Sequence, residues 1–171
     1  LFISAVTRSS FMKHTISVLV ENKPGVLARV SGLFSRRGFN IESLAVGTTE
    51  DPSVSRMTIV ASGDDSVLEQ ITKQLYKLID VIKVFDLPKN VAVESELVLF
   101  KVLFTEKVRP EIMQIVDKFH ARITDVSANA MIIEMTGEEG KVNEIQQALS
   151  KFGIKELVRT GKIALQRGLN E

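Results

Sequence analysis

Residues 21–30 (ENKPGVLARV) combine side chains and backbone features that could bind a small zwitterion. Pro24 suits the first position of a helix, because its φ is already helical and its missing N–H needs no partner there. Gly25 would let the backbone turn and let a ligand approach where no Cβ stands in the way. The free N–H groups of such a helix start favour a carboxylate or phosphate. Asn22 before the helix and Asn40 after it can each donate and accept through one amide. The alternative is that Pro-Gly only forms a turn and that the asparagines only cap it.

The rest of the chain lacks the residue patterns of catalysis and metal binding. The absence of cysteine excludes disulfides, thiolate metal sites and cysteine nucleophiles. His14 and His120 have no second ligand type at metal spacing, and His120, near a helix end, is expected to interact with the helix dipole. No serine lies in a nucleophile elbow, and Gly140-Lys141 lacks the glycine spacing of a phosphate-binding loop. The sequence therefore predicts a binding protein with no catalytic residue, cofactor or metal.

Composition limits the class of protein. The 171 residues are 44% hydrophobic and 25% charged, as in a globular protein of one domain or two small ones. A net charge of +1 gives no electrostatic reason to expect nucleic acid or an anionic membrane surface as a partner. No run approaches the roughly 20 apolar residues that cross a bilayer. The absence of cysteine fits an unoxidised, cytoplasmic location, which is what we expect.

Hydrophobic periodicity predicts the elements that position the candidate binding residues. Residues 14–20 alternate as a half-buried strand does, and the apolar spacing that follows indicates a helix closed by Gly38. Two strands (41–46 and 56–61), a helix capped by Asp64 and a strand (81–87) come next. The order strand, helix, strand, strand, helix, strand is that of a ferredoxin-like unit.

The same order of elements recurs after a break at residues 88–90. Residues 96–104 read as a strand and Pro110 opens a helix. Two strands follow (123–127 and 131–135), then a helix (138–152) and a final strand or ribbon (154–165). We therefore expect an α+β fold of two tandem βαββαβ units. The expected limits are an N-terminal extension (1–11), a first domain (12–88) and a second domain (89–171).

Several short motifs of the first unit resemble those of a known protein family. Residues 21–27 (ENKPGVL) with 38–41 (GFNI) resemble the amino-acid-binding motif of ACT domains. Further motifs narrow the resemblance to the regulatory small subunit of acetolactate synthase (acetohydroxyacid synthase): 40–44 (NIESL), 50–52 (EDP), 55–59 (SRMTI), 68–71 (LEQI) and 73–75 (KQL). The similarity is strong from about residue 13 to 87 and looser beyond.

The resemblance implies a function and a site. A member of this family senses a branched-chain amino acid, usually valine, and adjusts a separate thiamine-diphosphate-dependent catalytic subunit. ACT units of the family pair side by side, so a homodimer or a higher homo-oligomer is expected, with the effector at its interface. By motif position, Asn22, Gly25 and Val26 of one chain would face Asn40 and Ile41 of the other. The N–H groups of Gly25 and Val26 would hold the carboxylate, the asparagines would orient the zwitterion, and Ile41 would limit side-chain size.

Alternatives remain at this point. The preferred amino acid among valine, leucine and isoleucine is open, and a stand-alone ACT sensor acting on another enzyme or on a transcription factor is a second class. RNA-recognition motifs share the ferredoxin-like order, but residues 56–61 lack the aromatics that stack bases. The second unit is not expected to bind a free amino acid. Its equivalent turn has no glycine after Pro110, and Glu111 satisfies the helix dipole there.

Overall fold

The computed structural model describes residues 12–168, so the expected extension at residues 1–11 lies outside the described part of the chain. The first unit is a four-stranded antiparallel sheet covered by two helices, with strand order β2-β3-β1-β4. Its elements are β1 (Met12–Glu21), α1 (Val26–Arg37), β2 (Ile41–Thr48), β3 (Val54–Gly63), α2 (Asp65–Leu75) and β4 (Val81–Asp86). The ferredoxin-like order expected from periodicity is confirmed.

Alternation along β1 builds the core of this unit. Ile16, Val18 and Val20 are fully buried beneath the helices, because every second side chain of a strand points to the same face. The helices contribute apolar residues at helical spacing, namely Val26, Val30, Leu33, Phe34, Ile71 and Leu75. The two helices thereby cover the apolar face of the sheet and exclude water from it.

Both predicted helix caps are confirmed. Gly38 ends α1 with a left-handed φ of 70°, and the N–H of Phe39 donates to the Phe34 carbonyl at 3.0 Å, a pattern that favours glycine. Asp64 begins α2, where its carboxylate accepts the Val67 N–H at 3.0 Å and the Ser66 hydroxyl at 2.6 Å. These bonds hold the pKa of Asp64 below its ordinary value.

The second unit repeats the arrangement. Its elements are β5 (Ala92–Leu103), α3 (Arg109–Lys118), β6 (Arg122–Val126), β7 (Ala130–Gly137), α4 (Glu139–Ser150) and β8 (Ile154–Arg159). The strand order is β6-β7-β5-β8. Val98, Phe100 and Val102 of β5 are fully buried at the centre of its core. The α+β class and the tandem ferredoxin-like architecture are thus both confirmed.

The C-terminal segment differs from the one final strand or ribbon expected over residues 154–165. The chain leaves β8 at Arg159 and begins a separate strand, β9 (Ile163–Gln166), which pairs with β5. Gly161, with a φ of 85°, makes the intervening turn. The described residues form two compact units. One unit consists of residues 12–92 together with 164–168, and the other of residues 93–163. The last described residues lie with the first unit because Ala164 packs in a small core beside Leu87 and Ala92.

Candidate ligand-binding site

The predicted binding residues form two groups along the first unit. The first half-site consists of Asn22, Gly25 and Val26, which follow β1. The second half-site consists of Asn40 and Ile41, which follow α1. Val26 is buried in the core and Ile41 is partly buried, whereas Asn22, Gly25 and Asn40 are exposed.

The helix at the first half-site begins later than the sequence suggested. Gly25 is the N-cap, with a left-handed φ of 84°, and Val26 is the first helical residue. The expectation that Pro24 occupies the first helical position is therefore wrong. Pro24 lies in the preceding turn, because the chain can enter the helix only after it has reversed at Gly25. A residue with a Cβ is strained in this conformation, which explains the glycine.

The start of α1 presents donors to solvent. Among the described residues, no acceptor is found for the N–H groups of Gly25, Leu27 and Ala28, whereas the Val26 N–H donates to the Lys23 carbonyl at a long 3.4 Å. Free N–H groups at the positive end of a helix dipole favour an anion. The exposed backbone at Gly25 makes them accessible to a ligand.

Two residues that the sequence analysis did not single out complete this end of the unit. Arg29 donates through Nε to a carboxylate oxygen of Asp80 at 2.7 Å. The Arg29 Nη1 atom lies 3.0 Å from the point that a Cβ on Gly25 would occupy. The spacing of four between Gly25 and Arg29 was the available signal, because residues four apart share a helix face. The sequence held no comparable signal for Asp80.

Asn22 joins the first half-site to the loop between β2 and β3. Its backbone N–H donates to the Ser53 carbonyl at 2.7 Å, and its side-chain amide donates to the Pro52 carbonyl at 2.9 Å. The loop is itself ordered by Asp51, which accepts from the Ser53 N–H at 2.9 Å and the Ser53 hydroxyl at 2.7 Å. These bonds lower the pKa of Asp51. The amide oxygen of Asn22 is still able to accept from an ammonium group.

The second half-site lies at the opposite end of the same unit. Ile41 is paired with Ala61, which is paired with His14 near the start of β1. Glu21, which leads into the first half-site, is seven residues further along that strand, a distance of roughly 23 Å. The intervening helix α1 has 12 residues and is about 18 Å long. A single chain therefore does not bring the two half-sites together.

The equivalent turn of the second unit lacks these features. The N-cap of α3 is Val108, with an ordinary φ of −96°, and Glu111 lies in the first turn. The Glu111 carboxylate also pairs with Lys151. A negative charge therefore already lies in the first turn of α3, where it complements the helix dipole.

The histidines and carboxylates of the described chain do not gather into a metal site. Within residues 12–168, no cluster of three or more histidine, aspartate and glutamate residues could hold a metal ion. His14 bonds the Gly63 carbonyl at 3.2 Å, and His120 is exposed just after α3. No helix of the described chain is long and apolar enough to cross a membrane.

Comparisons with known proteins cover both units. The family model described as "AHAS small subunit-like ACT domain" matches residues 16–83, and "Small subunit of acetolactate synthase" matches residues 95–168. A "Probable acetolactate synthase small subunit" from Archaeoglobus fulgidus is 59% identical over 157 residues, which are 92% of this chain and 98% of that protein. The acetolactate synthase small subunit of Mycolicibacterium smegmatis is 52% identical over 155 residues, 91% of this chain and 92% of that protein.

A solved structure gives the same result. The crystal structure of the acetolactate synthase small subunit from Thermotoga maritima superposes with a TM-score of 0.86 at 44% identity. The match covers 93% of this chain and 99% of the Thermotoga chain.

Proposed function

Because this chain belongs to the acetolactate synthase small-subunit family, we propose that it is a non-catalytic regulatory subunit. It binds valine between the ACT domains of two chains and thereby modulates a thiamine-diphosphate-dependent catalytic subunit in branched-chain amino acid biosynthesis. A cytoplasmic location, expected from the sequence, is part of this proposal.

The separation of the two half-sites is the observation on which the proposal depends. They lie at opposite ends of one sheet, so a pocket that contains both must be assembled from two chains. A two-fold axis would create two such pockets, because each chain would give its first half-site to one and its second half-site to the other.

The two edges of the first sheet differ in how they could pair. At the β4 edge, the Tyr76 hydroxyl accepts the Val84 N–H at 3.1 Å and lies 3.4 Å from the Val84 carbonyl, which occupies groups that a pairing strand would need. In the described chain, β2 is hydrogen-bonded to β3 on one side, and no strand pairs with its other side. Unpaired edges favour association with another chain. Pairing through β2 is therefore the arrangement we propose.

Antiparallel pairing of two β2 strands also satisfies the geometry of the pocket. The start of one β2 then lies beside the end of the other, which is the end of the sheet that holds the first half-site. Asn40 and Ile41 of the second chain would thus face Asn22 and Gly25 of the first. In this pocket the N–H groups at Gly25 and Val26 hold the carboxylate, for which the Val26 N–H gives up its long 3.4 Å bond to the Lys23 carbonyl. The asparagine amides orient the zwitterion, and Ile41 limits the size of the side chain.

A mixing experiment tests the shared pocket. Gly25→Asp and Asn40→Leu would each abolish valine binding in a homodimer. In a mixed dimer, one pocket receives both substitutions and the other receives none. Co-expression of the two variants with different tags, followed by isolation of the mixed dimer, should restore one valine site per dimer by calorimetry. If each site lies within one chain, no site is restored.

The second unit is proposed to serve packing or contact with the catalytic subunit. The negative charge of Glu111 at its helix start supports this division. A valine titration of the isotopically labelled full chain should shift backbone signals of the first unit only. Saturable shifts at residues 105–112 would contradict the division.

Regulation is tested with the catalytic subunit itself. Adding this chain to an acetolactate synthase catalytic subunit should change its activity, and valine should alter that change in the unsubstituted protein but not with Gly25→Asp. The stand-alone sensor is a weaker candidate, because the small-subunit match extends through the second unit. Absence of any effect on the catalytic subunit would favour it.

A further inference from the structure

We propose that the Arg29 guanidinium binds the carboxylate of the effector, and that Asp80 is the positioning residue that orients it. This inference rests on the proposed function, because it assigns a ligand group to the first half-site. It adds a charged side chain to a site that was otherwise built from backbone donors and asparagine amides.

The bonding of Arg29 leaves one edge of its guanidinium open. The group has five N–H donors, and among the described residues only Nε donates to an acceptor, the Asp80 carboxylate. The edge formed by the two Nη nitrogens is the one left for a second carboxylate. The Arg29 side chain is 48% exposed, so a ligand can reach that edge. Arginine binds carboxylates through two parallel bonds where geometry allows.

The open edge lies at the exposed backbone of the first half-site. The Arg29 Nη1 atom is 3.0 Å from the point that a Gly25 Cβ would occupy. A carboxylate at the start of α1 would therefore receive N–H donors from the helix on one side and the guanidinium on the other. Both kinds of bond are charge-assisted, and the guanidinium can in addition form two parallel bonds to one carboxylate.

Asp80 holds the guanidinium in this position. Its side chain is only 8% exposed, and its backbone carbonyl accepts the Glu21 N–H at 2.9 Å. Asp80 is thus fixed at the end of β1 and the start of β4. Since the Nε bond constrains the plane of the guanidinium, less side-chain freedom is lost when a ligand binds.

The second unit offers a matched control at its own helix start. Arg109 lies 3.6 Å from the Glu106 carboxylate, and its guanidinium stands 5.9 Å from the centre of the Phe104 ring. No left-handed glycine adjoins it. Arg109→Gln therefore removes the same charge from the first turn of the corresponding helix without touching the first half-site.

The test measures the affinity for valine and the NMR signals of the Arg29 side chain, both in the full-length chain. Arg29→Gln should weaken valine binding by about tenfold or more, since a bond to a charged group contributes roughly 1.5–3 kcal/mol. Arg29→Lys should retain part of the affinity, and Arg109→Gln all of it. In the unsubstituted chain, valine should shift the NMR signals of the Arg29 Nη groups. Asp80→Asn should move the Arg29 Nε–H signal before any ligand is added and weaken valine binding less than Arg29→Gln does.

Three results would overturn this inference. The first is an unchanged valine affinity in Arg29→Gln. The second is a weaker affinity in Arg29→Gln together with Arg29 Nη signals that valine does not shift in the unsubstituted chain, because Arg29 would then only stabilise the start of α1. Failure of the unsubstituted chain to bind valine would overturn the proposed function and this inference with it.

Discussion

Substitution of Gly25 by aspartate should strongly reduce the affinity for valine and only slightly reduce the free energy of unfolding. Gly25 has a φ of 84°, and a left-handed conformation costs a residue with a Cβ roughly 1–2 kcal/mol. The new Cβ would also meet Arg29 Nη1 at 3.0 Å, so the guanidinium must move. A shift of a few tenths of an ångström relieves a contact of this length, and the half-exposed Arg29 side chain can make it while its Nε stays bonded to Asp80, so the movement adds little to the cost.

The aspartate carboxylate would then occupy the anion position and pair with Arg29. An exposed pair of this kind returns at most about 1 kcal/mol of stability, so the variant should fold with a net loss of about 1 kcal/mol. Valine would lose both the guanidinium and the access to the helix start. Two bonds to a charged group represent roughly 3 kcal/mol or more, which corresponds to at least about a 100-fold loss of affinity.

Gly153→Asp is the matched control. Gly153 has a similar φ of 93°, but its nearest neighbour to a new Cβ is a Leu103 methyl carbon at an ordinary 3.8 Å. Urea denaturation should give a similar loss of stability for both variants, whereas calorimetry should show lost valine binding only for Gly25→Asp. Undiminished affinity in Gly25→Asp would refute the assignment of the site. Equal loss of affinity in both variants would show that stability, not the site, controls binding.

Three local predictions can be checked by urea denaturation of the same protein. Asp64→Ala should lower the unfolding midpoint, because the Val67 N–H loses its acceptor at the start of α2; an unchanged midpoint would show that the cap is dispensable. The Ser53 bonds keep the pKa of folded Asp51 below the ordinary 3.8, so their contribution is present above about pH 4 and is lost as the pH falls below it. Asp51→Asn should therefore flatten the decline of stability between about pH 5 and 3, and an equally steep decline would contradict this. His120 has a φ of 53°, so His120→Gly should raise the free energy of unfolding by about 0.5 kcal/mol, the left-handed penalty less the greater chain entropy of glycine; a loss of stability would show that its side chain matters more than its backbone.

Much of the fold could be predicted because the signals are local. The alternation of Ile16, Val18 and Val20 predicted a half-buried strand. The structure buries all three, but it also buries Thr15 and Ser17 on the other face, which the alternation did not predict. Asp64 and Gly38 were predicted as caps from their positions next to periodic segments, and their hydrogen bonds depend only on residues within five positions. Such features follow from backbone geometry and from the burial of one face, whatever the rest of the chain does.

The candidate site was only partly predictable. The motif located Asn22, Gly25 and Asn40 in sequence, but periodicity could not show that Gly25, not Pro24, starts the helix. It also could not show that the Asn22 amide bonds Pro52, 30 residues away. Shared binding by two chains remains a prediction, which the opposite positions of the half-sites support.

What the sequence alone determined is therefore the order of elements, their buried faces and the segment that could bind an amino acid, because each depends on neighbours along the chain. Only the tertiary structure decided which distant groups meet. Arg29 and Asp80 are 51 residues apart and come together because β4 pairs with β1 and brings its start beside the end of that strand. Ala164 packs beside Leu87 and Ala92 for the same kind of reason. Contacts of this kind arise from the pairing of strands that are far apart in the chain, which no local pattern specifies.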